Sequence, residues 1–460
     1  MFTRVNPLVT IIALLGVISS TVYLFHAEFG RIVRVIFSPR TPITGTHLFL
    51  CQFMILSGLY LLAVYLTFKL SNEFGRRRSL LLVILLFGVF FRLCLVRTSP
   101  ELSSDIYRYV WDGRVQARGI NPYLHPPSSE SLSSLRDEAI YPHINRKPYP
   151  TIYPAGAQIF FLLAFKIVGD SPQGFKAILI FFDLLTMVVL IAFLKGFRVE
   201  KARFIVYAWN PLVIFEIAHS GHLEGLMVFL VVLAWFLHST NRRTLGVLSL
   251  ACASATKIYP ALLLPTFINR GERIRVLSVF LGSILILHLP YLSAGRKIVG
   301  FLPVYLKSPY ESFNLGLKYF LMRTFPSSDH FFLTKIFVGI VLAVSLAVFF
   351  KQKDKKAVLK YSYILISMQL IFVPAALHPW YVVWLIPLLA FYPSPGWLIF
   401  SGTVALSYLK YVKGIMPTWV LWLEYLPLYG LLIMEYLWRQ RASQNWFLWR
   451  PKVTNWLGKV

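Results

Sequence analysis

Asp105, Tyr109, Asp112 and Gln116 follow one another at intervals of four, three and four residues, so a helix over Ser104 to Arg118 would carry all four on one face. Ser103 or Ser104 is placed to cap it. Seven residues of helical rise put the two carboxylates about 10 Å apart. A retaining glycosidase keeps its pair at roughly 5 Å. The spacing therefore suits one carboxylate working alone as a general base, and Asp105 is the candidate. Its ordinary explanation is a first-turn acid favoured by the helix dipole. Asp112 is a candidate substrate contact, against an i, i+4 pair with Arg108. Arg108 itself is a candidate for holding an anion.

A second group lies in the stretch HSGHLE, with His219, His222 and Glu224. Imidazole and carboxylate are common metal ligands and a metal site is the lesser alternative here, but the HxxHxE spacing is not that of the zinc-binding signatures, so no metal is assigned. Hydrogen bonding to substrate hydroxyls, or orienting another group, is the reading kept for these three. Lys257 interrupts the apolar run Leu245 to Ile268, either to meet a departing phosphate or to snorkel to the interface. His378 opens HPWYVVWLIPLL and could do similar work, or cap the segment. Tyr153, in the second of two Tyr-Pro pairs, offers a ring that could floor a sugar site or anchor at the membrane interface. Asp183 and Glu216 sit inside apolar runs, where an ionisable group is costly and usually faces a cavity.

The elements that must position these residues are membrane spans. The chain has 460 residues, 57% of them hydrophobic and only 14% charged. Apolar runs near spanning length recur at roughly 7–26, 47–70, 79–97, 175–194, 204–218, 223–238, 276–292, 331–350, 357–377, 380–392, 397–412 and 418–438. The expected fold is all-α, a polytopic bundle of about 11–13 transmembrane helices. Residues 1–460 read as one module, with 98–154 a large external loop carrying juxtamembrane helices and the chemistry. That loop holds Glu101, Asp105, Asp112, Glu130, Asp137 and Glu138 against six basic residues, and is neutral in a chain of net charge +27.

Basic loops favour the cytoplasmic side. Arg76 to Arg78, Lys195 to Arg203, Arg242-Arg243, Arg270 to Arg275, Lys351 to Lys356 and the tail from Arg439 all fall there on two conditions. Ala155 to Gly169 must dip and return, and Leu245 to Ile268 must break near Lys257 into half-spans. Arg31, Arg34 and Arg40 then lie outside, on an amphipathic surface segment. The candidate residues converge on the outer face. Cys51, Cys94 and Cys252 lie in apolar runs without disulfide or metal spacing. The basic excess reads as loops meeting anionic lipid headgroups, not as a nucleic-acid surface. No Gly-rich phosphate loop follows a strand, and no internal repeat of the kind a transporter or flippase would carry is present. A transporter or lipid flippase for a glycolipid or small solute is the alternative class.

SSDIYRYVWDGRVQARGINPY, with its Tyr-Pro return, resembles the first large external loop of GT-C glycosyltransferases. WNPLVIFEIAHSGHLEGLMVFL, ATKIYPALLLP and HPWYVVWLIPLL follow in order. The likeness is to bacterial α-mannosyltransferases using polyprenyl-phosphate mannose and, more distantly, to GPI mannosyltransferases. The resemblance implies inverting transfer from a polyprenyl-phosphate sugar to a glycan, glycolipid or protein hydroxyl, on the non-cytoplasmic face of a bacterial inner membrane. It implies no cofactor, since the lipid-phosphate sugar is a substrate. It places an acidic base in the first large loop, here Asp105. In many relatives that loop follows the first span and carries adjacent acids; here it follows the third.

Overall fold

The computed structural model describes residues 7–26, 45–70, 77–307, 313–326, 329–374 and 376–441. Arg31, Arg34, Arg40 and Arg76 lie outside the described residues, as does most of the basic tail. No named strand occurs among the described residues, only an isolated bridge between Phe313 and Ala376. Seven helices among them are long and apolar enough to cross a membrane, and Ala155–Val168, Glu224–Ser239 and Pro379–Leu389 are shorter apolar helices. The chain is an all-α polytopic membrane protein.

The backbone groups into two compact units. One comprises Met1–Leu95, Ile191–Ile214 and Ile386–Val460, the other Val96–Leu190 and Phe215–Leu385. The first contains α1 (Pro7–Leu24), α2 (Gly45–Leu70) and α3 (Arg77–Leu95). A Cβ at Gly16 would collide with the Phe87 ring, which is how close α1 and α3 approach. Leu14, Val17 and Ile18 on the far side of α1 are exposed, as a lipid-facing surface requires.

The expected span 204–218 is broken in the structure, for a reason carried by Asn210-Pro211. Proline has no N–H and disfavours helical geometry in the residue before it. Short turns Lys201–Phe204, Ile205–Ala208 and Pro211–Ile214 replace a continuous helix. The Leu212 N–H turns to Asn210 Oδ1 at 3.0 Å, which leaves the Ala208 carbonyl without its helical donor. Buried Arg92 supplies one at 2.7 Å, and Tyr60 donates to Val206 O at 2.9 Å. In an apolar medium each unmet carbonyl would cost several kcal/mol, so these side chains make the break tolerable. The expected spans 380–392 and 397–412 are likewise shorter pieces, Pro379–Leu385 with Ile386–Leu389, and Pro395–Thr403 with Val404–Leu409.

The second unit carries the long polar loop. Its helices are α4 (Asp105–Ala117), α5 (Ala155–Val168), most of α6 (Pro172–Gly196), α7 (Glu224–Ser239), α8 (Arg243–Thr256), α9 (Arg273–His288), α10 (His330–Phe350) and α11 (Lys355–Phe372). α4 lies directly on α5, because Gly113 presents no Cβ; one built there would sit 2.6 Å from the Phe161 carbonyl oxygen. Asp112, Gln116 and Gln158 complete that contact. Gln158 Nε2 donates to Asp112 Oδ2 at 2.9 Å, and Gln116 Nε2 to Gln158 Oε1 at 2.9 Å.

Arg114 closes the loop from the opposite side of α4. Its Nη2 meets Asp137 at 2.5 Å and its Nε meets Asp170 at 2.7 Å. Burial raises the Asp137 pKa, but Arg114 and the Ile140 and Tyr141 amides outweigh it and hold the group down at about 2. A depressed carboxylate stabilises the fold above its unfolded pKa and loses that contribution as pH falls toward the folded one. Hydrogen exchange of residues 130–145 should accordingly stay slow down to about pH 4 and accelerate between there and about pH 2. In Arg114→Met it should already be fast at neutral pH.

Candidate active site

Asp105 opens α4, partly exposed, with Asn145 Nδ2 donating to its Oδ1 at 2.7 Å. Oδ2 accepts no hydrogen bond among the described residues. The helix runs Asp105–Ala117, one residue inside each expected end. Neither serine caps it in the expected way: Ser104 makes no side-chain cap bond, and Ser103 Oγ accepts the Asp105 N–H at 3.3 Å.

Glu224 opens α7, where a carboxylate is favoured by the helix dipole. Lys257 Nζ and Tyr259 both donate to its Oε1, the tyrosine at 3.2 Å. Its Oε2 is buried and accepts from none of the described residues. Lys257 reaches it because α8 stops at Thr256. The lysine itself is extended (φ −140°, ψ 143°), and Pro260 starts a 3-10 turn over Tyr259–Leu263. This is the break expected near Lys257. At Gly156, a Cβ would lie 2.8 Å from the Ala255 backbone, so the start of α5 abuts the end of α8.

Tyr109 feels the charge of both carboxylates. Burial raises its pKa well above the ordinary tyrosine value, and negative charge from Asp105 and from Glu224 raises it further. Both acids therefore lie near one hydroxyl. Tyr109 stacks on Phe161 at 4.6 Å, and the Tyr153 ring meets it edge-on at 5.1 Å. Burial and then Asp105 also raise Tyr153. The aromatic wall continues through Tyr259, Trp384 and Tyr381, with the Lys257 ammonium 5.9 Å from the Tyr381 ring centre.

His378 stacks on the Trp380 indole at 4.1 Å, and the His222 ring meets the same indole tilted, at 4.3 Å. His222 is fully buried, with Nδ1 2.9 Å from Glu216 and Nε2 2.9 Å from Ser103 Oγ. A π turn over Phe215–His219 and a left-handed Gly221 (φ 72°) swing His222 back over Glu216. A Cβ on Gly221 would collide with Ile106 of α4 and press Lys176 Cγ at 3.0 Å. Gly221→Ala should lower stability by about 1–2 kcal/mol from the left-handed backbone alone and reduce activity with it. Thermal melting in detergent is the measurement.

Asp105, Tyr153, His222, Glu224, Lys257 and His378 thus gather around Tyr109 and Trp380. Arg108, Asp112 and His219 each have a protein partner, and Arg108 lies close enough to Tyr153 for its charge to oppose the rise in that residue's pKa. Arg108 Nε and Asp112 Oδ1 form a buried 2.8 Å ion pair, the i, i+4 contact that the sequence offered as the alternative. Arg108 Nη1 donates to Tyr149 O at 3.2 Å. His219 Nδ1 pairs with Thr98 Oγ1 at 2.8 Å, beside the Lys176 ammonium on Thr98 O at 2.6 Å. Sequence reasoning gave no site role to Ser103, Asn145, Tyr259 or Trp380. Ser103 was visible as a candidate cap, Trp380 as the neighbour of His378-Pro379, and Tyr259 as a residue beside Pro260 and two from Lys257.

A search of curated proteins returns no match. A family model described as alpha-(1->6)-mannopyranosyltransferase, N-terminal domain, matches residues 10–270, more than half of the chain. The matched stretch includes Asp105, Tyr109, Tyr153, His222, Glu224 and Lys257 of the gathered cluster. With apolar spanning helices and a family match over that length, the chain is a membrane-embedded mannosyltransferase and belongs to the alpha-(1->6)-mannopyranosyltransferase family.

Proposed function

We propose that the protein transfers mannose, with inversion, from polyprenyl-phosphate mannose to a hydroxyl of a glycan, glycolipid or protein acceptor, on the outward face of a bacterial inner membrane. The family's description as an alpha-(1->6)-mannopyranosyltransferase supports a 6-hydroxyl as the acceptor group and an α-(1→6) bond as the product. Asp105 takes the proton of that hydroxyl as its oxygen bonds to the anomeric carbon. The bond from that carbon to the phosphate oxygen breaks on the opposite face, and the electron pair leaves with the lipid phosphate. Phosphate leaves without a general acid, so the scheme calls on no metal or cofactor.

The observation that supports this reading is the meeting of two distant parts of the chain at the start of α4: Ser103 Oγ accepts the Asp105 N–H at 3.3 Å and lies 2.9 Å from His222 Nε2, two residues before Glu224. Asp105 offers an oxygen oriented by Asn145. Glu224 offers a buried oxygen that a sugar hydroxyl would satisfy, which would repay the cost of leaving it unmet. Tyr153 and Tyr259 supply the flat apolar surface that suits a pyranose face. The phosphate has Lys257 and His378 nearby; Arg108 is held within α4 by Asp112. The whole chain acts as one module, with residues 98–154 as its catalytic loop.

The test is a proteoliposome assay with labelled polyprenyl-phosphate mannose and a mannose-terminated acceptor. The expected product is a new α-linkage from a β-linked donor, with no product from a nucleotide-mannose donor. Transfer from the nucleotide sugar, or retention at the anomeric carbon, overturns the reading.

A further inference from the structure

Glu216, His222 and Ser103 form an unbroken chain of side chains that ends at the backbone of Asp105. Glu216 Oε2 lies 2.9 Å from His222 Nδ1, His222 Nε2 lies 2.9 Å from Ser103 Oγ, and that oxygen accepts the Asp105 N–H at 3.3 Å. The chain is anchored twice, since the His222 N–H also donates to the Glu216 carbonyl at 2.9 Å. His222 is wholly enclosed and the Glu216 side chain is 2% exposed, so the imidazole has no room to bind a sugar directly.

We propose that His222 is a positioning residue: held at Nδ1 by Glu216, it donates from Nε2 to Ser103, and Ser103 sets the first turn of α4 so that the Asp105 carboxylate stands at the acceptor hydroxyl. The inference rests on the reading of Asp105 as the base and replaces a sugar-binding role for His222. A serine hydroxyl has one proton and two lone pairs. One lone pair takes the Asp105 N–H. When His222 is an imidazolium the second takes Nε2–H, and the hydroxyl proton is left to face the substrate side. When His222 is neutral that proton turns back to Nε2, and the polarity of the chain reverses.

The surroundings favour the first arrangement. Burial opposes the imidazolium, but Glu216 at hydrogen-bond distance, then Glu224 and Asp105, raise the His222 pKa above its ordinary value. The other charged or titratable groups of the packed elements are spoken for locally. Lys257 pairs with Glu224, Arg108 with Asp112, Lys176 and His219 bond Thr98, and His378 stacks on the shared Trp380. A raised pKa keeps the imidazolium below it and loses the proton as pH rises through it, so the ordered state of Ser103 disappears on the alkaline side.

The experiment is the pH profile of kcat for the full chain in proteoliposomes, with polyprenyl-phosphate mannose as donor, between about pH 5.5 and 9.5. The wild type should lose kcat on an alkaline limb. Glu216→Gln should move that limb to lower pH by about one unit, with KM for the donor little changed. His222→Gln, whose amide keeps a donor toward Ser103, should retain a rate about tenfold below wild type with the limb gone, and Ser103→Ala should lose the limb as well. A limb at the wild-type pH in Glu216→Gln, or a His222→Gln effect that falls on KM alone, overturns the proposal. Asp105→Asn run alongside separates the two levels. If it is inactive while the Glu216 and His222 variants keep the wild-type profile, only the positioning role is wrong. If it works at the wild-type rate, the base assignment fails and this inference with it.

Discussion

Asp105→Asn should cut mannosyl transfer by about a hundred- to ten-thousand-fold, the usual contribution of a positioned general base, while leaving the protein folded. The substitution is nearly isosteric. The Asn145 amide can still donate to Oδ1, and the backbone N–H still reaches Ser103 Oγ, so neither contact that places the residue is lost. What disappears is the basicity of the carboxylate. The loss should therefore fall on kcat, with donor KM and the thermal midpoint in detergent close to wild type. Labelled transfer in proteoliposomes, paired with a melting curve, reads both. A variant that turns over normally removes Asp105 from the chemistry, and one that melts early has lost structure instead.

The second large effect concerns Glu224 and Lys257. The Glu224 side chain is fully buried and that of Lys257 is 12% exposed, and the two meet in a direct ion pair. Removing one partner of a buried pair leaves an uncompensated charge, at a cost of about 3–5 kcal/mol, whereas replacing both by apolar groups is often neutral. Glu224→Leu should leave the ammonium facing the Tyr381 ring without its carboxylate, and Tyr259 without its acceptor. Lys257→Met should leave a carboxylate buried at the start of α7 with one tyrosine donor. Each single change should lower the melting temperature clearly, and the double variant should melt higher than either. A double-mutant cycle with simple additivity would show that the pair contributes nothing between the two sites. All three should be poor enzymes, because Glu224 is also proposed to hold a substrate hydroxyl.

How much of this was legible beforehand follows from the range of each interaction. The helix carrying Asp105, the Arg108–Asp112 pair as an alternative and the break at Lys257 depend on residues within one or two turns, and spacing displays them. Pro260 ending a helix is local steric exclusion, so a break near Lys257 could be expected from sequence. The broken segment at Asn210-Pro211 was open to the same argument, but the apolar run around it reads as a span unless donors for the freed carbonyls can be foreseen. Those donors, Tyr60 and Arg92, come from helices more than a hundred residues earlier in the chain.

Ser103 shows the limit most plainly. By local preference it is a candidate helix cap, yet its oxygen is claimed by an imidazole from far along the chain, through a left-handed glycine and a π turn that no period in the sequence signals. His222, Glu224 and His219 are near neighbours in sequence and read as one cluster. Folding sends His219 to Thr98, His222 to Glu216 and Ser103, and Glu224 to Lys257.

The amino-acid sequence by itself determined the solvent this chain folds in, the helical class and the helix that presents Asp105, since apolar run length, hydropathy and helical period are properties of contiguous residues. Which carboxylates stay available and which are consumed by Arg108, Lys257 or His222 was decided only by tertiary structure. A buried charge or hydroxyl takes the partner that packing brings within about 3 Å, and in this fold that partner comes as often from a distant element as from a neighbouring turn.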